Sequence, residues 1–145
     1  MKDRTIRKGK KEMKIAVDAM GGDFAPQAIV EGAFLAAKKH DVKVVLVGDE
    51  DQVGKELSKY PTSKLQIYLH HAPYMVAMHD SPSLVVRKMK DTSIKVALDL
   101  AKEGQVNGVV SAGNSGAAMA LAMYILKKLN GVDRPAIATI HPTPK

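Results

Sequence analysis

The chain has 145 residues, 46% of them hydrophobic and 26% charged, the make-up of an ordinary globular domain. It has no cysteine, which excludes disulfides, thiolate metal sites and a cysteine acyl-enzyme, and no apolar run approaches the roughly 18 residues a membrane span needs. The net charge of +7 is concentrated at the start: six of the 22 basic and two of the 15 acidic residues lie in "MKDRTIRKGKKE" (1–12), so the nearly balanced body, with only two Phe, four Tyr and no Trp, does not have the character of a nucleic-acid binder.

Residues 1–12 have too little apolar surface to fold and lack the apolar core of a signal peptide, which predicts a disordered basic arm followed by one domain over 13–145. Met13 stands directly before the first strand and is a natural alternative start. "KIAVD" (14–18) is a short buried strand, and "APQAIVEGAFLAAKKH" (25–40) a helix with Pro26 suited to its first position and Lys38, Lys39 and His40 to its carbonyl end. "VKVVLVG" (42–48) is a strand of the type buried on both faces. Asp49 caps a short helix over 49–60, and "KLQIYLH" (64–70) is the third strand.

Pro73 and Pro82 interrupt the stretch 71–91, which predicts a loop with a short helical turn. Ile94, Ala97, Leu98 and Ala101 form one apolar stripe on a helix that starts at Asp91 or Thr92 and stops at Gly104. "VNGVVS" (106–111) is the fourth strand, and 115–131 a helix apolar nearly all round, hence buried in the domain or in a subunit interface. "PAIATI" (135–140) starts a fifth strand with no helix after it, so the chain reads as the N-terminal part of something larger. Alternating strands and helices predict a three-layer α/β/α fold with a mostly parallel sheet.

In such sheets ligands gather beyond the carboxyl ends of the strands, where "DAMGGD" (18–23) and "SAGNSG" (111–116) both emerge. The second turn passes directly into a helix and places backbone amides at a positive helix end, a ready anion site with Gly113 and Gly116 allowing close approach and Ser111, Asn114 and Ser115 adding donors. On this reading the side chains are small because an anion lies against the backbone. The plainer alternative is a tight turn with Ser115 as helix cap. There is neither a Walker lysine nor a dinucleotide fingerprint. In the first turn Asp23 is placed to cap the following helix, whereas Asp18, at a strand's carboxyl edge, faces the ligand crevice. His70, His71 and His79 lack metal-ligand spacing and read as surface histidines, with His79–Asp80 a candidate acid/base pair. Arg87, Lys88 and Lys90 are either a solvated face or a patch for an acidic partner.

Taken together, "MKIAVDAMGGDFAP", "LVGDE", "HDSP", "RKMKDTSIKVAL", "VVSAGNSGA" and "DRPAIAT" resemble, in order and approximate spacing, the acyl-ACP:phosphate acyltransferase (PlsX) family from Met13 onward. Two departures are Ser115, where threonine is usual, and a looser loop over "HHAPYMVAMHDSP" (70–82). The resemblance implies an isocitrate/isopropylmalate dehydrogenase-like sheet and transfer of a long-chain acyl group from acyl carrier protein to inorganic phosphate, giving acyl phosphate for phospholipid synthesis, without cofactor or metal. It implies a cytoplasmic homodimer, peripheral at the inner membrane face, that feeds a membrane glycerol-3-phosphate acyltransferase.

On that resemblance Asn114, Ser115, His79 and Asp18 are the expected catalytic residues. Gly21, Gly22, Asp23, Ser111, Gly113 and Gly116 are expected to bind phosphate, and Arg87, Lys88 and Lys90 to meet the carrier protein. Family members run to more than twice this length, so the chain alone is expected to show little activity. The rival readings are a phosphate acetyltransferase-like or decarboxylating-dehydrogenase-like enzyme, and a non-catalytic module that binds carrier protein or dimerises through 119–126.

Overall fold

A computed structural model describes residues 12–88, 90–140 and 142. Apart from Glu12, which pairs with Lys43 at 2.6 Å, the predicted basic arm lies outside the described residues. The elements run β1 Lys14–Asp18, α1 Gln27–Lys39, β2 Lys43–Gly48, α2 Glu50–Leu57, β3 Ile67–His71, α3 Pro82–Lys88, α4 Ser93–Lys102, β4 Gly108–Val110 and α5 Ser115–Ile125. The four strands form one sheet in the order β3-β2-β1-β4, and every pairing is parallel.

Strand periodicity explains the layering. Successive β2 side chains point to opposite faces, so Val44 and Leu46 join Val30, Ala33 and Ala37 of α1 and Val53 of α2, while Val45 and Val47 join Ala97 and Leu100 of α4 on the other face. This is the predicted three-layer arrangement. A third cluster, Ile94 and Leu98 of α4 with Ala117, Leu121 and Ile125 of α5, extends the second face.

Helix ends follow local chemistry. Asp49 Oδ1 accepts the Gln52 amide at 2.9 Å to open α2, and Thr92 caps α4, which closes before Gly104 at φ 71°. Asp91, the other predicted start, instead pairs with Lys95 at 3.0 Å. Asp23 does not cap α1: it is exposed three residues ahead of the N-terminal Pro26, and the entry to the helix is closed by backbone bonds from Ala25 to Gly22 and Ala28 to Phe24.

Two expectations fail toward the end of the chain. The helix predicted over 115–131 stops at Ile125, because residues 126–131 are exposed and further turns would gain no packing. It is not buried all round: Ala117, Leu121 and Ile125 are covered, whereas Met119, Met123 and Tyr124 are exposed. The predicted fifth strand over 135–140 does not form. Ile137 is 64% and Ile140 99% exposed, so neither a ladder nor side-chain burial holds the segment extended.

The chain builds outward from β1 through β2 to β3, then returns to place β4 on the opposite side of β1. The switch point of the sheet therefore lies between β1 and β4, where a crevice is expected beyond the strand ends. The two glycine-bearing turns meet there.

Candidate active site

Asp18 ends β1 and Ser111 follows β4. They are 93 positions apart in sequence, yet Ser111 Oγ donates to Asp18 Oδ2 at 2.7 Å. Ser111 Oγ in turn accepts the Gly113 amide at 3.1 Å, which bends the β4 turn back over the β1 turn. Asp18 is 3% exposed, and its Oδ1 has no partner among the described residues. A buried carboxylate oxygen without a partner is costly, which marks this pair as more than packing.

The glycines are small first because of protein neighbours. A Cβ on Gly21 would overlap the Asp18 carboxylate, and one on Gly113 would lie 3.1 Å from Gly21 Cα and 3.2 Å from Ser111 Oγ. Gly22 has φ 109° and stands against Ala112, while a Cβ on Gly116 would come within 2.9 Å of Pro82 at the start of α3. Protein neighbours are thus enough by themselves to exclude side chains at these glycines; the two turns and α3 interlock.

Asn114 rather than Ser115 caps α5. Its Oδ1 accepts the Ala117 amide at 3.0 Å, and its Nδ2 reaches the carbonyls of Ala77, Met78 and Asp80 at 3.3, 3.1 and 2.9 Å. With its side chain engaged at both ends, Asn114 positions the 77–80 loop and has no amide proton to spare for a ligand. The loop is closed from within, because Asp80 Oδ2 accepts the Ala77 amide at 2.8 Å. The Asp80 carboxylate is therefore turned to backbone, and His79 stands exposed beside it without forming the anticipated pair.

Donors remain at the helix start. The first two amides of α5, on Ser115 and Gly116, precede the first intrahelical bond and donate to no protein group among the described residues. No acidic residue lies in the first turn of α5, so the positive helix end is not offset by its own side chains. Ser111, Gly113 and Ser115 also line a groove of about 570 Å³. The rest of its lining is mostly apolar, Ile94, Leu98, Met119, Met123 and Ile137 among it, and also includes Lys127 and Lys128. Polar groups and apolar walls in one groove of this size suit a ligand with an anionic head and an apolar body.

Outside this cluster, Asp23 is exposed, and Arg87, Lys88 and Lys90 lie exposed on and after α3, with Lys90 Nζ 4.8 Å from the Tyr74 ring centroid. His70 and His71 are exposed on β3, and Glu50 donates its amide to His71 Nδ1 at 3.4 Å. No cluster of three or more His, Cys, Asp or Glu suited to a metal exists among the described residues. Nor is any described helix long and apolar enough to cross a membrane.

Sequence reasoning missed the coupling of Ser111 to Asp18, the carbonyls held by Asn114 and the contact of Pro82 with Gly116. The asparagine directly before an apolar helix was the available signal for the cap; the other contacts join distant segments and have no local signature.

A model of the fatty acid synthesis protein family matches residues 13–145. Over 131 residues the chain is 54% identical to a phosphate acyltransferase of Geobacter sulfurreducens, 57% to one of Geotalea uraniireducens and 54% to one of Syntrophotalea carbinolica. Each alignment covers 90% of this chain but only 38% of the relative. On the strength of these matches, which take in both turns and the helices they open, the chain belongs to the fatty acid synthesis protein family.

Proposed function

We propose that this chain supplies the phosphate-holding part of an acyltransferase that moves a fatty acyl group from an acyl carrier protein thioester to inorganic phosphate, giving acyl phosphate for phospholipid synthesis. The observation that carries this reading is the joining of two environments at one turn: of the Ser115 and Gly116 amides, both without a protein acceptor among the described residues, the first belongs to a residue that lines the mostly apolar groove.

Phosphate held by the two amides presents an oxygen to the thioester carbonyl, with the acyl chain along the groove. Attack forms the C–O bond and a tetrahedral oxyanion; collapse breaks the C–S bond and releases the thiolate of the carrier, which takes up a proton. Holding the nucleophile in place supplies much of the rate, and fixed amide dipoles need no reorganisation as charge develops. Asn114 acts as a positioning residue for the helix start. Gly21 and Gly22 form the facing wall with Asp23 at its exposed edge, and His79 is carried on the loop that Asn114 straps to α5. Arg87, Lys88 and Lys90, together with exposed Leu84, suit an acidic carrier protein. A cytoplasmic homodimer, peripheral at the membrane and passing its product to a glycerol-3-phosphate acyltransferase, completes the reading.

The test is phosphate-dependent loss of acyl-ACP thioester by the protein extended to the length of its relatives. Gly116→Val, which drives a side chain into Pro82 and the helix start, is expected to lower kcat/KM at least about 100-fold. Unchanged turnover by a folded Gly116→Val protein would defeat the proposal.

A second reading, association through α5, is favoured by the exposure of Met119, Met123, Tyr124 and Leu126. Light-scattering mass with and without acyl carrier protein separates the two. A complex without turnover favours the second.

A further inference from the structure

Ser111 is exposed and lines the groove, and what it offers a ligand follows from counting its proton. A serine hydroxyl has one proton and two lone pairs. The proton goes to Asp18 Oδ2, and one lone pair takes the Gly113 amide. Only an acceptor remains for the crevice. Behind it the Asp18 carboxylate is 3% exposed, with Oδ2 taken by the Ser111 hydroxyl and Oδ1 unpartnered among the described residues, so it adds acceptors and no donor. The Ser115 and Gly116 amides have no protein acceptor among the described residues and offer donors, and Ser115 lines the same groove as Ser111.

A site that combines donors with an acceptor does not suit every oxyanion. Sulfate, fully ionised, carries acceptors only, and one of its oxygens would meet the Ser111 lone pair. Hydrogen phosphate has ionised oxygens for the amides and a P–OH for Ser111. We propose that the Asp18–Ser111 pair makes this turn selective for a protonated oxyanion, hydrogen phosphate over sulfate, by accepting the P–OH at Ser111 Oγ. The inference rests on the phosphate reading above and specifies which form of the anion is bound. It assigns Ser111 as a specificity-determining residue and Asp18 as the residue that orients its hydroxyl.

Calorimetric titration of the chain with inorganic phosphate and with inorganic sulfate, at matched ionic strength and neutral pH, tests it. Phosphate is expected to bind at least about tenfold more tightly, because a site that needs a donor hydroxyl penalises the analogue lacking one. Ser111→Ala is expected to erase that preference, and Ser111→Thr, which keeps the hydroxyl, to retain it. Asp18→Asn can donate to Ser111 and turn the hydroxyl proton outward, so its preference is expected to move toward sulfate. If Asp18→Asn fails to fold by circular dichroism, the two Ser111 variants decide. Equal binding of the two anions by the unaltered chain, or full preference kept in Ser111→Ala, would overturn the selectivity and leave phosphate binding standing. Binding of neither anion would overturn both.

Discussion

The two glycine-bearing turns leave neighbouring parallel strands at the same end of the sheet, yet they do different work. The turn after β1 is closed: Gly21 is buried against the Asp18–Ser111 pair and Gly22 takes φ 109°. The turn after β4 is open, ending in two helix amides with no protein partner among the described residues. The difference teaches that glycine content alone does not identify a ligand site. In the first turn small residues serve packing; in the second they also leave donors uncovered.

The largest effect on stability should come from filling the closed turn. Gly21→Ala places a methyl against the buried Asp18 carboxylate and is expected to cost about 1–3 kcal/mol by denaturant unfolding. Gly32→Ala, at an exposed α1 site with nothing within 4 Å of the new Cβ, is expected to stabilise by about 0.5–1 kcal/mol. The same substitution thus changes sign with its surroundings; equal effects would erase the distinction drawn between a packed glycine and a merely permissive one.

Next comes the strap by which Asn114 ties the 77–80 loop to the start of α5. Asn114→Ala is expected to cost about 1–2 kcal/mol through the lost cap, and hydrogen exchange should become faster at Ala117 and at Ala77 in the strapped loop. Protection lost at Ala117 alone would show that the strap carries no weight. Asp49→Ala on α2, a cap with no strap, is the control: a cost of about 1 kcal/mol confined to α2 is expected.

The smallest effect lies away from both turns. Lys95 bridges Asp99 at 2.8 Å and Asp91 at 3.0 Å, and the hydrogen bond to Asp99 chiefly, then Asp91, hold its ammonium above the ordinary lysine range against the opposing effect of burial. A pKa raised on folding contributes stability that is complete below the unfolded value, about 10.4, and is lost as pH rises through the folded value. Lys95→Gln should remove that alkaline loss, under about 1 kcal/mol, and leave the two turns unaffected. An unchanged alkaline slope in the variant would contradict the assignment.

The parts of the fold legible in the sequence are those fixed by short-range patterns. The buried β2 run, the Asp49 and Thr92 caps and the Gly104 stop follow from composition and spacing over a few residues. The meeting of the two turns followed from strand direction. What local pattern did not reveal was set by tertiary contact. Ser115 and Asn114 are equally good caps on paper, and the carbonyls of 77–80 chose between them. "PAIATI" has strand composition, but a strand needs a ladder and cover, and residues 135–140 have neither. The Asp18–Ser111 bond spans 93 positions and leaves no trace in spacing.

The central claim is that the open amides of α5 hold phosphate. Two-dimensional amide NMR of the chain titrated with inorganic phosphate tests it most directly. The account predicts saturable shifts centred on Ser115 and Gly116, with smaller ones at Gly113. Saturable shifts elsewhere with 111–116 unmoved, or no saturable shift at all, would contradict it.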